Sequence, residues 1–521
     1  MDETGSLERV RLAELVGALS LGIDLGFGQP MEHVLRQCWI ALRLADYLGL
    51  DQDQRSFVYY TALLTNVGCH TDAHEQAKWF GDDIELRAGK YTHGVHGVRS
   101  AVAGFRRLGS GQPLLQRFRV GLSFALSGHR ELDRMIARHS AMARALAADI
   151  GLPSAVQDSV AASYEQWDGK GWPGELAGEA VPIAARVSQL AEFVEVAHRS
   201  GGLEAAVALA RELGGSQFDP TVATRFSAAA GDILDGLDAA STWDEVIAAD
   251  PLLGRTLRGQ EFDEALGAVA DFVDLKSPYT LGHARAVAQL VEVAGGQLGL
   301  AGEPLATLRR AGLAHGLGRL GVSNAIWDKP GPLGTGEWER VRLQPYFTER
   351  MLQQSPALGA IGAVAAQLRE RVDGSGYPRG LSGGAITLPA RALGAADVYQ
   401  AMLEPRPHRP ARSPAEAAVE LRAEVRAGRI DGDAAEAVLV AAGHRATARR
   451  ARPAGLTARE VDVLRLVARG MSSKDIAAEL VISPKTARNH IEHIYVKTGA
   501  TSRVDASLFA IKHGLLDAPP A

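Results

Sequence analysis

Near the C-terminal end of the chain, Lys485, Arg488, Asn489 and Glu492 recur at three- and four-residue spacing, while Ala487, Ile491 and Ile494 fall on the other side of the same helical repeat. One face of such a helix packs and the other carries ammonium, guanidinium and amide groups. Those groups neutralise phosphates and fork onto base edges, the chemistry of a helix lying in a DNA major groove. On spacing alone, a solvated surface remains the competing reading. A second concentration of chemistry-bearing types is Cys69, His70, Asp72 and His74. If that stretch is helical, His70 and His74 share a face and could take a metal ion, or the four could be ordinary core and surface residues. The glycine-rich run Asp373-Gly374-Ser375-Gly376-Tyr377-Pro378 could offer backbone amides to a phosphate, or could simply satisfy a tight turn.

The elements that hold these residues are helices. Apolar positions recur at helical spacing, as at Val287, Leu290, Val291 and Ala294, and no long alternating runs announce a sheet, so the expected fold class is all-α. A length of 521 residues exceeds what one hydrophobic core sustains, and three domains are expected. The composition, 46% hydrophobic and 22% charged, is that of an ordinary globular protein. A net charge of -5 excludes a chain that coats nucleic acid along its whole length but admits one small basic module. Two cysteines, Cys38 and Cys69, neither staple a secreted protein nor supply a cysteine-only zinc site. The Met-Asp-Glu start lacks the basic stretch of a signal peptide, and Glu14 and Asp24 interrupt the apolar run near Leu12. A cytoplasmic protein with no membrane segment is expected.

Two distant stretches share landmarks in the same order. The first runs from His33 through Leu48-Gly49-Leu50 and Ala62-Leu63-Leu64 to Gly68, then to Asp168-Gly169-Lys170-Gly171-Trp172-Pro173. The second runs from His283 through Leu298-Gly299-Leu300 and Gly312-Leu313-Ala314 to Gly318, then to Asp373 and the glycine turn. The intervals His33 to Gly49 and His283 to Gly299 are equal. So are Gly49 to Gly68 and Gly299 to Gly318, and Asp168 to Arg186 and Asp373 to Arg391; Glu192 falls where Asp397 does. One helical domain is therefore expected twice, at 1–240 and 255–442, the first copy carrying an insertion with extra helices around Phe80 to Arg130. An arginine-dense stretch at 443–454 reads as an exposed linker, which could also touch phosphates.

Residues 455–521 divide by their own punctuation into four helices. Thr457 with Glu460 forms a capping box, Gly470 stops the first helix, Ser472 or Ser473 caps the second, Ser483-Pro484 opens the third, and Ser502 with Asp505 begins the fourth. This segment resembles the LuxR-type helix-turn-helix family in its L-T-x-R-E start, G-x-S-x-K-x-I-A turn, S-x-K-T opening and G-L-L end. The resemblance implies that Lys474, Lys485, Thr486, Arg488, Asn489 and Lys497 approach double-stranded DNA and that the protein binds as a homodimer. Ser473, where the family often has asparagine, and Ala487, where it often has valine, are departures that leave the charged face in place.

The two repeats resemble the HD-GYP branch of the HD phosphohydrolase superfamily, most clearly through GHARAVA, AGLAHGLGRLGV, WDKPGPL, DGSGYPRGL and ADVYQA in the second copy. The resemblance implies a cluster of divalent metals that activates water against a phosphodiester. In the second copy His283, His315 and Asp397 remain as vestigial positions. Gly316 stands where an aspartate should follow the histidine, Gln344 where a histidine is expected, and Leu368-Arg369 where a histidine pair is expected. The first copy keeps His33 and Glu192, with Thr65-Asn66 and Ser163-Tyr164 at the other ligand positions. The expectation is a transcriptional regulator whose catalytically degraded domains sense a small-molecule or nucleotide effector or dimerise, with no catalytic residues and no cofactor. The alternative is a metal-dependent phosphodiesterase, acting for example on cyclic di-GMP, with a DNA-binding output. An interaction scaffold is a third reading.

Overall fold

The computed structural model describes residues 9–93, 129–238, 241–250, 255–445, 454, 456–480, 482–513 and 515. These residues divide into two compact units, Met1–Gly443 and His444–Ala521. Both are helical, as the periodicity of the sequence requires. The exception is a short antiparallel pair, Arg9–Arg11 with Thr256–Arg258, whose three-residue strands are too short to leave an alternating pattern.

Within the larger unit the elements come twice in one order. Helices Leu12–Gly26, His33–Tyr47 and Gln52–Leu64 lead into a short 3-10 segment, Val67–Asp72. Helices Gly259–Asp274, His283–Gln297 and Glu303–Ala314 lead into Leu317–Gly321. Each half then reaches its glycine-rich turn, with cis peptides at Trp172–Pro173 and Tyr377–Pro378, and a closing helix, Ile183–Leu213 or Leu388–Leu403. Buried apolar residues from both halves, among them Leu15, Tyr59, Phe226, Phe262, Leu308 and Tyr399, join one core.

Shared landmarks have shared physical causes. Asp24 accepts the amide of Val34 at 3.0 Å and Asp274 that of Ala284 at 2.8 Å, so in each half a buried carboxylate nine residues ahead of the leading histidine fixes the start of its helix. Desolvation pushes both aspartates up, Asp274 to about 6. A side chain added at Gly68 would press on the carbonyl of His139, and one at Gly318 on that of Gln344, so both positions require glycine. The glycine turns wrap a buried glutamate. Glu165 accepts from the amides of Gly174, Glu175 and Leu176, and Glu370 from those of Arg379 and Leu381. Within the run itself the amides of Gly374 and Tyr377 donate to the carbonyls of Arg371 and Arg369, and that of Ser375 to the Asp373 carboxylate, so these three serve the turn.

The insertion is helical at Asp83–Ala88 and Lys90–His93; the further helices expected between 94 and 128 lie outside the described residues. The smaller unit has the four expected helices, Ala458–Ala468, Ser473–Glu479, Pro484–Thr498 and Arg503–Lys512. Their caps are Thr457, Ser472, Ser483 and Ser502, each accepting an amide from the first turn. No helix among the described residues is long and apolar enough to cross a membrane.

Candidate functional site

In the second half, the fold brings the three predicted ligand positions together. His283 opens one helix, His315 follows the end of another, and Asp397 sits mid-way along the closing helix. One ligand atom from each lies within 4.8 Å of the others, and this is the one such group among the described residues. His283 Nε2 is 3.2 Å from Asp397 Oδ1, and its Nδ1 bonds Glu404 at 2.9 Å. His315 Nδ1 bonds the Gly312 carbonyl at 2.7 Å, leaving a buried Nε2 without a hydrogen-bond partner. Burial and the neighbouring His283 push His315 down to about 3, so its ring is neutral. In His283 burial is outweighed by Asp397 and Glu404, which raise it. Glu404, unmarked in the sequence reading, does for His283 what carboxylates do behind metal-bound histidines: it fixes the tautomer and aims Nε2 inward.

This donor set fits one divalent ion held by two imidazoles and a carboxylate. Such an ion would supply Lewis-acid charge to a phosphate oxygen or to water. It does not fit a bridged metal cluster. Gly316 offers no side-chain carboxylate, the second oxygen of Asp397 is held by Arg369 at 2.7 Å, and Gln344 turns its amide to the His315 carbonyl at 2.7 Å.

Beside the triad opens a cavity of about 630 Å³, lined by Lys276, Arg319, Arg369 and Arg406 together with Trp327 and Tyr377. Its size is that of a small-molecule site. Arg319 is buried, stacks 5.6 Å from the Trp327 ring, and has no hydrogen-bond partner at Nε or Nη1. A buried guanidinium without an acceptor is costly, and an anion in the cavity would relieve it.

The corresponding place in the first half is built differently. His33 Nδ1 bonds Glu195 at 2.5 Å, and Glu195 also takes Arg36 at 2.8 Å. Glu192, which falls where Asp397 does, accepts from Asn66 at 2.6 Å, Lys90 at 2.7 Å and Tyr91 at 2.7 Å. Thr65 turns its hydroxyl to the Thr61 carbonyl. The Cys69, His70, Asp72 and His74 set does not converge on an ion. Cys69 meets Tyr164 and His139, Asp72 pairs with His139, and His74 bonds Asp328 across 254 positions of chain. His70 is buried between Phe27 and Phe272, where desolvation keeps it neutral.

In the smaller unit Lys474, Lys485, Arg488 and Asn489 are exposed, the last three on one face of Pro484–Thr498, while Ala487 and Ile494 are buried beneath. Thr486 is exposed but its amide and hydroxyl bond Ser483, so it helps to start the helix. Lys497 lies apart from this face in an ion pair with Glu460 at 2.7 Å, although it keeps partial exposure.

Residues 267–434 match the family described as HD domain, and residues 454–510 the family described as bacterial regulatory proteins, luxR family. The 3'3'-cGAMP-specific phosphodiesterase 3 of Vibrio cholerae is 30% identical over 406 residues, 77% of this chain and 88% of the relative. The chain belongs to the HD-domain family of that phosphodiesterase. A crystal structure of a cyclic GMP-AMP specific phosphodiesterase of V. cholerae superposes with a TM-score of 0.58 at 26% identity, covering 84% of this chain and 99% of the other. The C-terminal part is 43% identical over 79 residues, 14% of this chain and 9% of the relative, to a putative HTH-type transcriptional regulator of Mycobacterium bovis. The chain thus joins an HD domain to a LuxR-type helix-turn-helix domain.

Proposed function

We propose that this protein is a DNA-binding transcriptional regulator whose HD body holds a phosphate-bearing effector, a cyclic dinucleotide, and transmits its presence to paired helix-turn-helix units. The observation that carries the reading is the buried Arg319 guanidinium, whose Nε and Nη1 have no hydrogen-bond partner and which with Arg369 and Arg406 lines a cavity that also offers aromatic faces. That combination suits phosphates attached to flat bases. The relatives act on such molecules, as the name of the V. cholerae 3'3'-cGAMP-specific phosphodiesterase 3 states. In this chain Arg369 replaces a ligand and holds Asp397, so positive charge from arginine stands where metal charge is expected, and binding takes the place of turnover. The first half is a second, degenerate copy of the domain, 1–240 beside 255–442, and serves as support. Two copies of the protein pair, in keeping with exposed Val504, Leu508 and Ile511 on one side of Arg503–Lys512.

Calorimetric titration of the purified full chain with 3'3'-cGAMP and cyclic di-GMP tests the reading. Binding without product, lost in Arg319→Ala, is expected; absence of binding by the folded wild type would reject it.

A second reading rests on His283, His315 and Asp397, whose geometry accepts one ion. It makes the protein a single-metal phosphodiesterase with a DNA-binding output. Hydrolysis of a cyclic dinucleotide in manganese, abolished by His315→Ala, would establish it in place of the first.

A further inference from the structure

The site in the first half already contains a cation of the protein's own. Lys90 comes from the insertion, 102 positions before Glu192 in the chain, and its ammonium donates to Glu192 Oε1 at 2.7 Å and to Asn66 Oδ1 at 2.9 Å. Both acceptors are buried, Glu192 fully. Tyr164 also donates to Asn66 Oδ1, at 2.7 Å, and Tyr91 to Glu192 Oε1, while His33 Nε2 lies 3.4 Å from the Tyr91 hydroxyl. Aromatic faces close the shell: the ammonium is 5.1 Å from the ring centroid of Tyr164, 5.3 Å from Phe193, 5.6 Å from Tyr91 and 6.0 Å from Phe27. Burial would push Glu192 up, but Lys90, Asn66 and Tyr91 hold it below the ordinary range, so it is a carboxylate.

We infer that the Lys90 ammonium stands in for a divalent ion in the first half, and that removing it uncovers a metal site formed by Glu192, Asn66 and His33. The inference does not depend on what the second half binds. A buried carboxylate needs a counter-charge, which a metal or a lysine can provide. An amide and one carboxylate carry too little negative charge to hold two ions, but one ammonium balances Glu192 fully. The insertion delivers both Lys90 and Tyr91, so it acts as a plug that supplies charge and excludes water. With the plug in place this half folds without metal.

The test uses the full chain carrying His283→Ala and His315→Ala, which removes the other ligand cluster. Folding and thermal midpoint are followed by circular dichroism in chelator and in manganese(II), with and without Lys90→Ala. The parent should be indifferent to manganese. The Lys90→Ala chain should be stabilised by it, or fold only in its presence, and Glu192→Gln added to that chain should cancel the response. Manganese stabilisation of the parent equal to that of the Lys90→Ala chain would overturn the inference. So would a Lys90→Ala chain that, folded or unfolded, does not respond to manganese.

Discussion

The two halves of the larger unit use the same scaffold to surround opposite kinds of centre. At Glu192 the protein closes the place with its own ammonium and four aromatic rings. At Asp397 it leaves two imidazoles, one of them with a bare nitrogen, beside an open cationic cavity. What is common, such as Asp24 and Asp274 at the helix starts, Gly68 and Gly318 under a carbonyl, and Glu165 and Glu370 inside the turns, belongs to folding. What differs belongs to ligands. The halves thus share their scaffold and differ at their centres, and the half whose donors converge on one point is the one to assay.

The comparison can be broken most forcefully at Lys90. Lys90→Met leaves Glu192 buried without its counter-charge and should cost about 3–5 kcal/mol in chemical denaturation, most of it recovered by adding Glu192→Gln. A small cost would mean that the carboxylate never depended on the ammonium. In the smaller unit, Arg488→Ala should weaken binding to a selected duplex by about 1–3 kcal/mol and relax its sequence preference in an anisotropy titration.

A smaller effect comes from acid. His315 is held neutral in the fold, with its pKa near 3, against 6.5 for the exposed ring. Its contribution is therefore complete above the unfolded value and is lost as pH falls from 6.5 toward 3. In chelator, the stability of wild type relative to His315→Gln should fall by on the order of 1 kcal/mol between about pH 7 and about pH 5.5. A difference independent of pH would show that the ring titrates in the fold as it does when exposed, and a difference that grows toward acid would show that it is charged there. Smallest is Lys485→Ala, which should lower the salt dependence of DNA binding by a slope of about one while sparing sequence preference.

Much of this was legible in the sequence where the cause is local. Thr457 with Glu460 and Ser483 before Pro484 mark helix starts because a cap is a contact over three residues, and both are caps in the structure. His283, His315 and Asp397 were legible through motifs, and they meet. The equal spacing of Asp24 to His33 and Asp274 to His283 was a signal that could have found the buried aspartates. Lys90 was not legible, since its role arises from an insertion folding back onto a residue 102 positions away. Nor was the bare guanidinium of Arg319, because lacking a partner is a property of the assembled core. At Cys69 to His74, where the sequence left a metal site and ordinary core and surface residues both open, the structure favours the second: neighbours in sequence turn to different partners once a short 3-10 segment, Val67–Asp72, interrupts the helix.

The most direct test of the regulator reading is the affinity of the full chain for a duplex selected from random DNA, measured by anisotropy with and without 3'3'-cGAMP. The account predicts that the nucleotide shifts the affinity of the wild type, remains intact during the measurement, and has no effect on Arg319→Ala. Unchanged affinity, with the nucleotide hydrolysed during the titration, would contradict it.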